Sequence, residues 1–401
     1  MREIRSVGVV GAGVMGAGIA QVAAEAGFEV VLFDPLDGAT ARARQRIAGF
    51  LERKVAKGQM PSEDAGAALD RIGEVTTLES LADADLVVEA VPENLELKRD
   101  LFRDLDRCVA DDRILATNTS SLSVARIAAA TEHPERVIGL HFFNPVPLMA
   151  LVELIPGPMT APAVVETTDA FARRLGKTPV VAADLPGFIV NRVQRALYLE
   201  AFRIFEEGLA GVTAIDDAMR QIGFRLGPFE LADVVGTDVN LAAGEAIFAG
   251  FHEDPRYRPA QVQHRVVDAG RLGRKSGAGY YDYAADGSRG EPWAALTGVP
   301  AGSPSLPPID PPQIEARVLA TIVNEAASAV ADRVAAPEAI DTAMKLASNW
   351  PEGPLAWGER IGLSSVVSTL DGLNAVVPDG RYRVAPLLRA LADAGQSFFG
   401  R

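Results

Sequence analysis

The sequence predicts an α/β fold, with a doubly wound and mostly parallel sheet, followed by an all-α part that holds two related helical domains in tandem. Three observations support this prediction. Short runs rich in Val and Ile alternate with amphipathic stretches over the first 185 residues, helical periodicity follows, and two of the helical stretches are similar to each other. A chain of 401 residues is long enough for several domains.

Five runs have the length and composition of buried strands: SVGVV, EVVLFD, DLVVEAV, RILATN and RVIGLHF. The segments between them are long enough for helices, which is typical of a parallel sheet covered on both faces. Beyond residue 185, apolar residues recur at helical spacing, beginning with FIVNRVQRALYLEAFRIFEEGLA. We therefore expect one domain at 1–185 and a first helical domain at 186–283.

A stretch rich in Pro, Gly and Ser, residues 284–312, shows no periodicity and is interpreted as a linker. The segment beyond it, 313–401, matches the first helical segment at a constant offset, which favours duplication over chance similarity. The corresponding positions are Arg192 and Arg317, Val193 and Val318, Ile215–Asp216 and Ile340–Asp341, Met219 and Met344, and, after a one-residue slip, Gly227–Pro228 and Gly353–Pro354.

Composition excludes several classes of protein. The formal net charge of −14 repels polyanions, so no nucleic-acid partner is expected. No apolar stretch approaches the roughly 20 residues that span a membrane, and the start MREIRSVGVVGAG has no signal-peptide core. The single cysteine, Cys108, rules out a disulfide framework and a cysteine-built zinc site, and no metal site is expected. These features predict a cytoplasmic protein.

The segment GAGVMG follows the first strand-like run and opens a helical pattern. In this G-x-G-x-x-G arrangement, Gly11 would make the tight turn, Gly13 would admit a pyrophosphate close to the backbone, and Gly16 would let helix and strand approach. Free N–H groups at the start of the helix would face the phosphates. Met15 lies inside the same loop and is counted among the expected cofactor contacts.

The next strand-like run ends at Asp34. A carboxylate at this position can accept hydrogen bonds from both hydroxyls of the adenosine ribose, and it would repel a 2′-phosphate. Pro35 follows where an arginine could have neutralised such a phosphate. The sequence therefore predicts NAD rather than NADP, with an acidic strand end beside an ordinary turn as the alternative.

Three later strand-like runs end in polar residues, at the edge where doubly wound sheets bind ligands. The polar residues are Glu93 and Asn94 after the third run, Asn118, Ser120 and Ser121 after the fourth, and His141 and Asn144 after the fifth. One of the two serines is expected to cap the following helix. The three polar side chains after the fourth run are more than one helix cap requires. The polar strand ends therefore predict a ligand site.

His141 lies between apolar neighbours, where a core histidine bonded to a carbonyl group is the simplest explanation. Twelve residues later, Glu153 stands in the apolar run MALVELI. On an antiparallel return its carboxylate would need a partner, and His141 is the nearest candidate. Such a carboxylate fixes the imidazole tautomer, favours the protonated ring and leaves the other nitrogen for an alcohol, as a general base requires.

Six motifs in this order closely resemble the 3-hydroxyacyl-CoA dehydrogenase family: GAGVMGAGIA, VVEAVPENLELK, TNTSSLS, GLHFFNPVPLMALVE, GFIVNRV and GRLGRKSGAGYYDY. The resemblance covers the whole chain. It implies a Rossmann-like domain followed by an all-helical domain, with the active site in the cleft between them. It also implies NAD-dependent, reversible oxidation of an L-3-hydroxyacyl-CoA, of the 3-hydroxybutyryl-CoA or 3-hydroxyadipyl-CoA type, in fatty-acid β-oxidation or aromatic-acid catabolism.

By this resemblance, His141 is the catalytic base and Glu153 its partner, and Ser120 and Asn191 contact the hydroxyl and thioester side of the substrate. The implied cofactor contacts are Gly11, Gly13, Met15, Gly16, Asp34, Glu93, Lys98 and Asn118, and the candidate substrate contacts are Ser120, Asn144, Asn191, Lys54 and Lys57. The two lysines are candidates for the CoA phosphates, although a solvated helix face explains them equally well.

The second helical copy has Ala316 where the first has Asn191, and no glycine loop or histidine accompanies it. It is therefore expected to be structural, packing against the first copy where single-copy relatives use a second subunit, in a possible homo-oligomer. Two alternatives to the dehydrogenase remain: a relative acting on a free hydroxy acid, of the L-gulonate or carnitine type, and a non-catalytic NAD-binding sensor or structural protein.

Overall fold

The structure is a computed structural model that describes residues 3–297 and 307–400. The chain divides into two compact units, Met1–Phe188 and Ile189–Arg401. The predicted boundary at residue 185 lies just before this division. The part of the predicted linker at 298–306 lies outside the described residues.

The N-terminal unit is an eight-stranded sheet with helices between the strands. Its elements are β1 (Ser6–Val10), α1 (Val14–Glu25), β2 (Glu29–Phe33), α2 (Ala39–Ala56), α3 (Ser62–Asp70), β3 (Ile72–Val75), β4 (Leu86–Glu89), α4 (Leu95–Cys108), β5 (Ile114–Thr117), α5 (Val124–Ala128), β6 (Val137–Phe142), β7 (Leu151–Pro156), α6 (Pro162–Arg174) and β8 (Thr178–Val181).

The strand order is β3-β2-β1-β4-β5-β6-β7-β8. All neighbouring pairs are parallel except β6 and β7, which are antiparallel. The chain moves outwards from β1 in one direction through β2 and in the other through β4, so the crevice for a ligand lies at the carboxyl ends of β1 and β4. The predicted doubly wound, mostly parallel sheet is confirmed.

The central strands are buried along their whole length because helices cover both faces of the sheet. Every residue of β4 and β5 is buried, and both strands are uninterrupted apolar runs apart from the last residue. The five predicted strands correspond to β1, β2, β4, β5 and β6. The prediction missed β3 and β8, which have four residues each, lie at the two edges of the sheet and are only partly buried.

The second unit is mainly helical. Its elements are α7 (Val190–Glu206), α8 (Val212–Gln221), α9 (Pro228–Val235), α10 (Thr237–Gly250), α11 (Gln261–Asp268), β9 (Tyr281–Tyr283), β10 (Arg289–Pro292), α12 (Pro311–Ala331), α13 (Pro337–Ser348), α14 (Pro354–Ile361), α15 (Leu363–Val376) and α16 (Pro386–Ala394). Because β9 and β10 form an antiparallel hairpin, the first part of the segment interpreted as a linker is ordered structure. A short 3-10 turn at Ala294–Thr297 follows it.

The helices of the two predicted copies, α7–α11 and α12–α16, follow one another in the same order and use the same device to start α9 and α14. The carboxylate of Asp216 accepts the N–H groups of the second and third residues of α9, Phe229 and Glu230, at 2.9 and 3.1 Å. Asp341 accepts the equivalent groups of α14 at 2.8 and 3.0 Å. An added Cβ at Gly227 or Gly353 would lie 2.3 or 2.2 Å from the aspartate, so each cap requires its glycine.

The two copies meet through α7 and α12, where buried ion pairs are exchanged. Arg192 of the first copy pairs with Glu325 of the second at 2.7 Å, and Arg317 of the second pairs with Glu200 of the first. Further exchanged pairs are Arg192–Asp332 and Arg317–Glu207, Tyr257–Glu325 and Tyr382–Glu200, and Arg258–Asp379 and Arg383–Asp254. In each, corresponding residues exchange roles, as they do across a twofold axis between identical subunits.

Candidate active site

The glycine loop joins β1 to α1 and leaves open space above its backbone. Gly11 has φ +98°, and an added Cβ there would lie 2.6 Å from the carbonyl oxygen of Ala90. At Gly16 an added Cβ would lie 1.7 Å from the Gly11 oxygen. A Cβ added at Gly13 would meet no other group within 4 Å, and α1 begins without a side-chain cap. The loop therefore offers room and free N–H groups to a pyrophosphate.

Asp34 follows β2 and supports this loop. One carboxylate oxygen accepts the N–H of Ala12 at 2.7 Å, and the other accepts the N–H of Leu36 at 2.9 Å. Each oxygen keeps a lone pair, so the carboxylate can also receive ribose hydroxyls. Met15, the other predicted contact in the loop, is partly buried against the core. These residues fit NAD, and the negative charge of Asp34 does not fit a 2′-phosphate.

His141 and Glu153 lie directly opposite each other on the antiparallel strands β6 and β7. The Nδ1 atom of His141 is 2.7 Å from a carboxylate oxygen of Glu153, whose side chain is 0% exposed. The Nε2 atom makes no hydrogen bond within the described residues, and the histidine side chain is 7% exposed. The carboxylate thus holds the proton on Nδ1 and leaves Nε2 as an acceptor.

Two phenylalanine rings pack on the imidazole. Phe143 lies 4.5 Å and Phe188 5.8 Å from it, measured between ring centroids. Phe188 is 1% exposed and has φ +48°, a left-handed conformation that is costly for a bulky residue. The sequence gives no signal for this backbone conformation, and the role of Phe188 against the histidine was missed.

Glu93, at the end of the segment after β4, organises the loop after β5. One of its oxygens accepts the hydroxyl of Thr119 at 2.7 Å and the N–H groups of Ser120 and Ser121 at 2.8 and 3.0 Å. The hydroxyls of both serines also point at it, at 3.2 and 3.0 Å. Burial opposes the charge, but Lys98 and these donors hold the pKa of Glu93 below its ordinary value.

Lys98 lies beneath this loop with 1% of its side chain exposed. Its ammonium nitrogen is 2.6 Å from an oxygen of Glu89 and 3.3 Å from one of Glu93. Glu89 also accepts the hydroxyl of Thr117 at 2.7 Å. Lys98 therefore contacts two carboxylates of the protein, and its contact with NAD stays a prediction. The buried Glu89 was missed because it ends an otherwise apolar strand.

Two asparagines follow the later strands. The side-chain oxygen of Asn118 accepts the N–H of Phe142 at 2.8 Å, which ties the end of β5 to the end of β6. Asn144 is exposed and precedes the cis peptide bond to Pro145. Their predicted contacts with cofactor and substrate remain predictions.

The helix caps correct one expectation. Ser123, and neither Ser120 nor Ser121, caps α5, through its hydroxyl and the N–H of Arg126. Asn94, also among the polar strand ends, caps α4 by accepting the N–H of Leu97 at 3.0 Å. Ser120 and Ser121 do not cap the helix, because they belong to the turn around Glu93.

The two candidate lysines for the CoA phosphates differ in their surroundings. Lys54, on α2, is 2.5 Å from a carboxylate oxygen of Glu25, so its charge is already compensated. Lys57 follows the end of α2 and is exposed. Asn191 is the second residue of α7 in the helical unit and is half-buried. Its predicted role at the substrate is untested by the structure of either unit.

Within residues 3–297 and 307–400, no cluster of three or more His, Cys, Asp and Glu side chains is arranged to hold a metal ion. In the same ranges no helix has both the length and the apolar character that a bilayer crossing requires. A glycine loop and a carboxylate that fit NAD, in one unit with an imidazole oriented by a buried glutamate, define the class of nicotinamide-dependent dehydrogenases.

The comparison with known families identifies the member of this class. The NAD-binding domain model of 3-hydroxyacyl-CoA dehydrogenase matches residues 6–185, and the C-terminal domain model of the same family matches 187–283 and again 314–398. The chain therefore belongs to the 3-hydroxyacyl-CoA dehydrogenase family and is an NAD-dependent oxidoreductase. This confirms the family that the six sequence motifs indicated.

Individual relatives agree. The chain is 36% identical to 3-hydroxyadipyl-CoA dehydrogenase of Escherichia coli (strain K12), over 98% of this chain and 99% of that one. It is 45% identical to 3-hydroxybutyryl-CoA dehydrogenase of Bradyrhizobium diazoefficiens, over 70% of this chain and 96% of the relative. The crystal structure of a 3-hydroxybutyryl-CoA dehydrogenase from Escherichia coli K12 superposes with a TM-score of 0.90 at 36% identity, covering 98% of this chain and 99% of that one.

Proposed function

We propose that this chain oxidises an L-3-hydroxyacyl-CoA to the 3-oxoacyl-CoA, and catalyses the reverse reduction, with His141 as the general base. The observation that carries the proposal is the contact of 2.7 Å between His141 Nδ1 and Glu153, which leaves Nε2 for a substrate. The names of the relatives support an acyl-CoA substrate.

The proton moves between the substrate and His141. Nε2 accepts the proton of the 3-hydroxyl group during oxidation and returns it to the 3-oxo oxygen during reduction. Glu153 stabilises the imidazolium that forms, because its buried carboxylate is already aligned with Nδ1. Bound NAD supplies the hydride acceptor.

The remaining site residues hold and orient the reactants. Gly11, Gly13 and Gly16 would receive the pyrophosphate of NAD, and Asp34 the ribose. Glu93, Met15, Lys98 and Asn118 would position the cofactor side, in the case of Lys98 through Glu93.

Ser120 and Asn191 would contact the hydroxyl and thioester side of the substrate, and Asn144, which follows β6, would also bind the substrate. For the CoA phosphates, Lys57 is the better candidate, because Glu25 neutralises Lys54. The enzyme would act in the cytoplasm, in fatty-acid β-oxidation or aromatic-acid breakdown.

The second helical copy would replace a dimer contact. One support is the set of exchanged pairs between α7 and α12. Another is the Bradyrhizobium relative, because 70% of this chain already matches 96% of that relative. Light scattering should give the mass of a single chain for the intact protein. Deleting residues after 312 should produce a dimer or an insoluble product, and a soluble, active, monomeric product would contradict the proposal.

One assay separates this function from its alternatives. The protein is incubated with acetoacetyl-CoA and NADH, and the loss of NADH absorbance is followed. Oxidation of NADH that depends on the thioester supports the proposal. Turnover of a free hydroxy acid such as L-gulonate or carnitine, with none of the thioester, would favour that rival. NADH binding without any turnover would indicate a sensor.

A further inference from the structure

Arg195, on α7, is a buried cation without a carboxylate partner. It is 3% exposed, its Nη1 donates only to the two oxygens of Asn240, at 3.0 and 3.3 Å, and its Nε has no partner. The other buried arginines of the described residues all pair with carboxylates: Arg136 with Asp106, Arg192 with Glu325, and Arg203 and Arg317 with Glu200. An uncompensated buried charge is costly, so its presence needs an explanation.

The groups around Arg195 hold it in place without neutralising it. The side-chain oxygen of Asn240 also accepts the amide of Gln263 at 2.9 Å, and Gln263 in turn accepts the N–H of Ala260 at 3.0 Å. Both side chains are buried. Burial lowers the pKa of Arg195 to about 10, which still leaves the guanidinium charged at neutral pH. The cluster is therefore a fixed cation with spare donors.

The second copy shows that the fold does not need this cluster. Counted from corresponding residues, the positions of Arg195, Asn240 and Gln263 are occupied there by Ala320, Val366 and Leu388, all at most 2% exposed. Gly244, where an added Cβ would lie 3.4 Å from Arg195 Nη1, corresponds to the buried Leu370. The same place in the duplicated fold thus packs well with apolar residues, which indicates that the polar cluster serves a function.

Arg195 lies one helical turn after Asn191, on the same face of α7. The rise between them is about 6 Å. The guanidinium of Arg195 lies 5.4 Å from the centroid of the Tyr198 ring and against Asn240 of α10, so this fixed cation belongs to the turn that follows the proposed substrate contact. Along an extended acyl chain, a carboxylate three carbon–carbon bonds beyond the carbinol lies roughly 4 Å from it, plus a hydrogen bond of about 3 Å.

We infer that Arg195 binds the terminal carboxylate of a dicarboxylic 3-hydroxyacyl-CoA with a six-carbon acyl chain, and so determines the substrate class of this enzyme. The inference rests on the proposed function, since Asn191 is placed at the substrate there. A neutral chain of the same length would leave the buried guanidinium unpaired, which disfavours it strongly.

The test compares 3-hydroxyadipyl-CoA with 3-hydroxyhexanoyl-CoA, which have equal chain length, in the wild type and in Arg195→Met. We expect kcat/KM for the dicarboxylic substrate to fall by about 100-fold or more, mainly through KM. The rate with 3-hydroxyhexanoyl-CoA should stay equal or rise. Arg195→Lys should restore part of the preference, and Arg389→Met, which removes an exposed cation of the second copy, should change neither rate.

A second measurement does not depend on a folded variant. Adipyl-CoA and hexanoyl-CoA both lack the reacting hydroxyl and can serve as inhibitors. In the wild type, adipyl-CoA should bind about tenfold or more tightly than hexanoyl-CoA, because only adipyl-CoA has a terminal carboxylate for Arg195. Equal inhibition by both, or an equal loss with both substrates in Arg195→Met, would overturn the assignment, the latter by placing Arg195 in the fold or at the CoA phosphates. Failure of the wild type to oxidise either substrate would instead overturn the proposed function.

Discussion

Two buried carboxylates, Glu153 in the N-terminal unit and Glu325 in the helical unit, are paired with basic side chains in different ways. Glu153 is 2.7 Å from His141, whose second ring nitrogen makes no hydrogen bond in the described residues. Glu325 receives Arg192 at 2.7 Å, the Tyr257 hydroxyl at 2.5 Å and Arg256 at 3.5 Å. His141 keeps a ring nitrogen that is available to a substrate, so the pair with Glu153 can take part in a reaction. Glu325 is shared among three donors and stabilises the contact between the two helical copies.

The largest effect is expected at His141. His141→Gln should lower kcat by up to about 10⁴-fold, because the substrate hydroxyl loses its base. The Kd for NAD, measured by titration calorimetry, should stay nearly unchanged. His133→Gln is the matched control, since His133 lies beside Asp106 and precedes the first residue of β6, whereas His141 lies near its last. Equal loss of turnover and NAD binding in His141→Gln would show that the residue is structural.

Glu325→Ala should act on stability. The change leaves Arg192, whose side chain is 0% exposed, without its main partner, at a cost of about 3 kcal/mol or more in the free energy of unfolding. Urea denaturation measures this cost, with the exposed Glu338→Ala as control. The activity of the folded fraction should remain close to that of the wild type. A large fall in kcat at unchanged stability would remove the distinction between the two carboxylates.

Asp34→Ala should have an intermediate effect. Loss of the carboxylate removes the ribose acceptor and the hydrogen bond to Ala12, and we expect NAD binding to weaken by about 10- to 100-fold. Affinity for acyl-CoA should change far less, and the preference for NAD over NADP should narrow. Asp37→Ala, an exposed aspartate three residues later, serves as control. An equal loss of both ligands would place Asp34 in the fold alone.

The smallest effect concerns Asp216, a buried carboxylate that caps α9 and also receives the Tyr281 hydroxyl. Burial raises the pKa of Asp216 to about 7, against the hydrogen bonds that lower it. The folded state then holds a proton that the unfolded chain releases near pH 4, so stability falls as the pH rises from about 4 to about 7 and is constant above that. Asp216→Asn should lack this fall, which is on the order of 1 kcal/mol between pH 6 and pH 7.5, in urea titrations at these two pH values.

Much of this architecture could be predicted from the sequence, because it depends on residue patterns that are close together in the chain. Val- and Ile-rich runs set the five central strands, and the glycine loop requires its glycines for reasons of backbone approach at Gly11 and Gly16. The antiparallel return opposite His141 followed from the need of Glu153 for a partner. The duplication was visible in the order of matching residues.

Other features depend on tertiary packing and left no local signal. The burial of Lys98 between two carboxylates, the left-handed backbone of Phe188 and the exchanged pairs of α7 and α12 each join residues far apart in the chain or set a conformation by packing. The cap of α5 was assigned to the wrong serine, because Glu93 occupies the two earlier ones. Arg195 looked like an ordinary helix residue until its surroundings were known.

Glu153 acts on the reaction through His141, and a double-mutant cycle of the two residues measures this coupling. The quantity is kcat for the oxidation of one 3-hydroxyacyl-CoA by the wild type, His141→Gln, Glu153→Gln and the double variant, each checked for unchanged NAD affinity. We expect Glu153→Gln to slow the wild type by about 100-fold and to add almost nothing once His141 is replaced. Losses that multiply in the double variant would contradict this, because the two residues would then act independently.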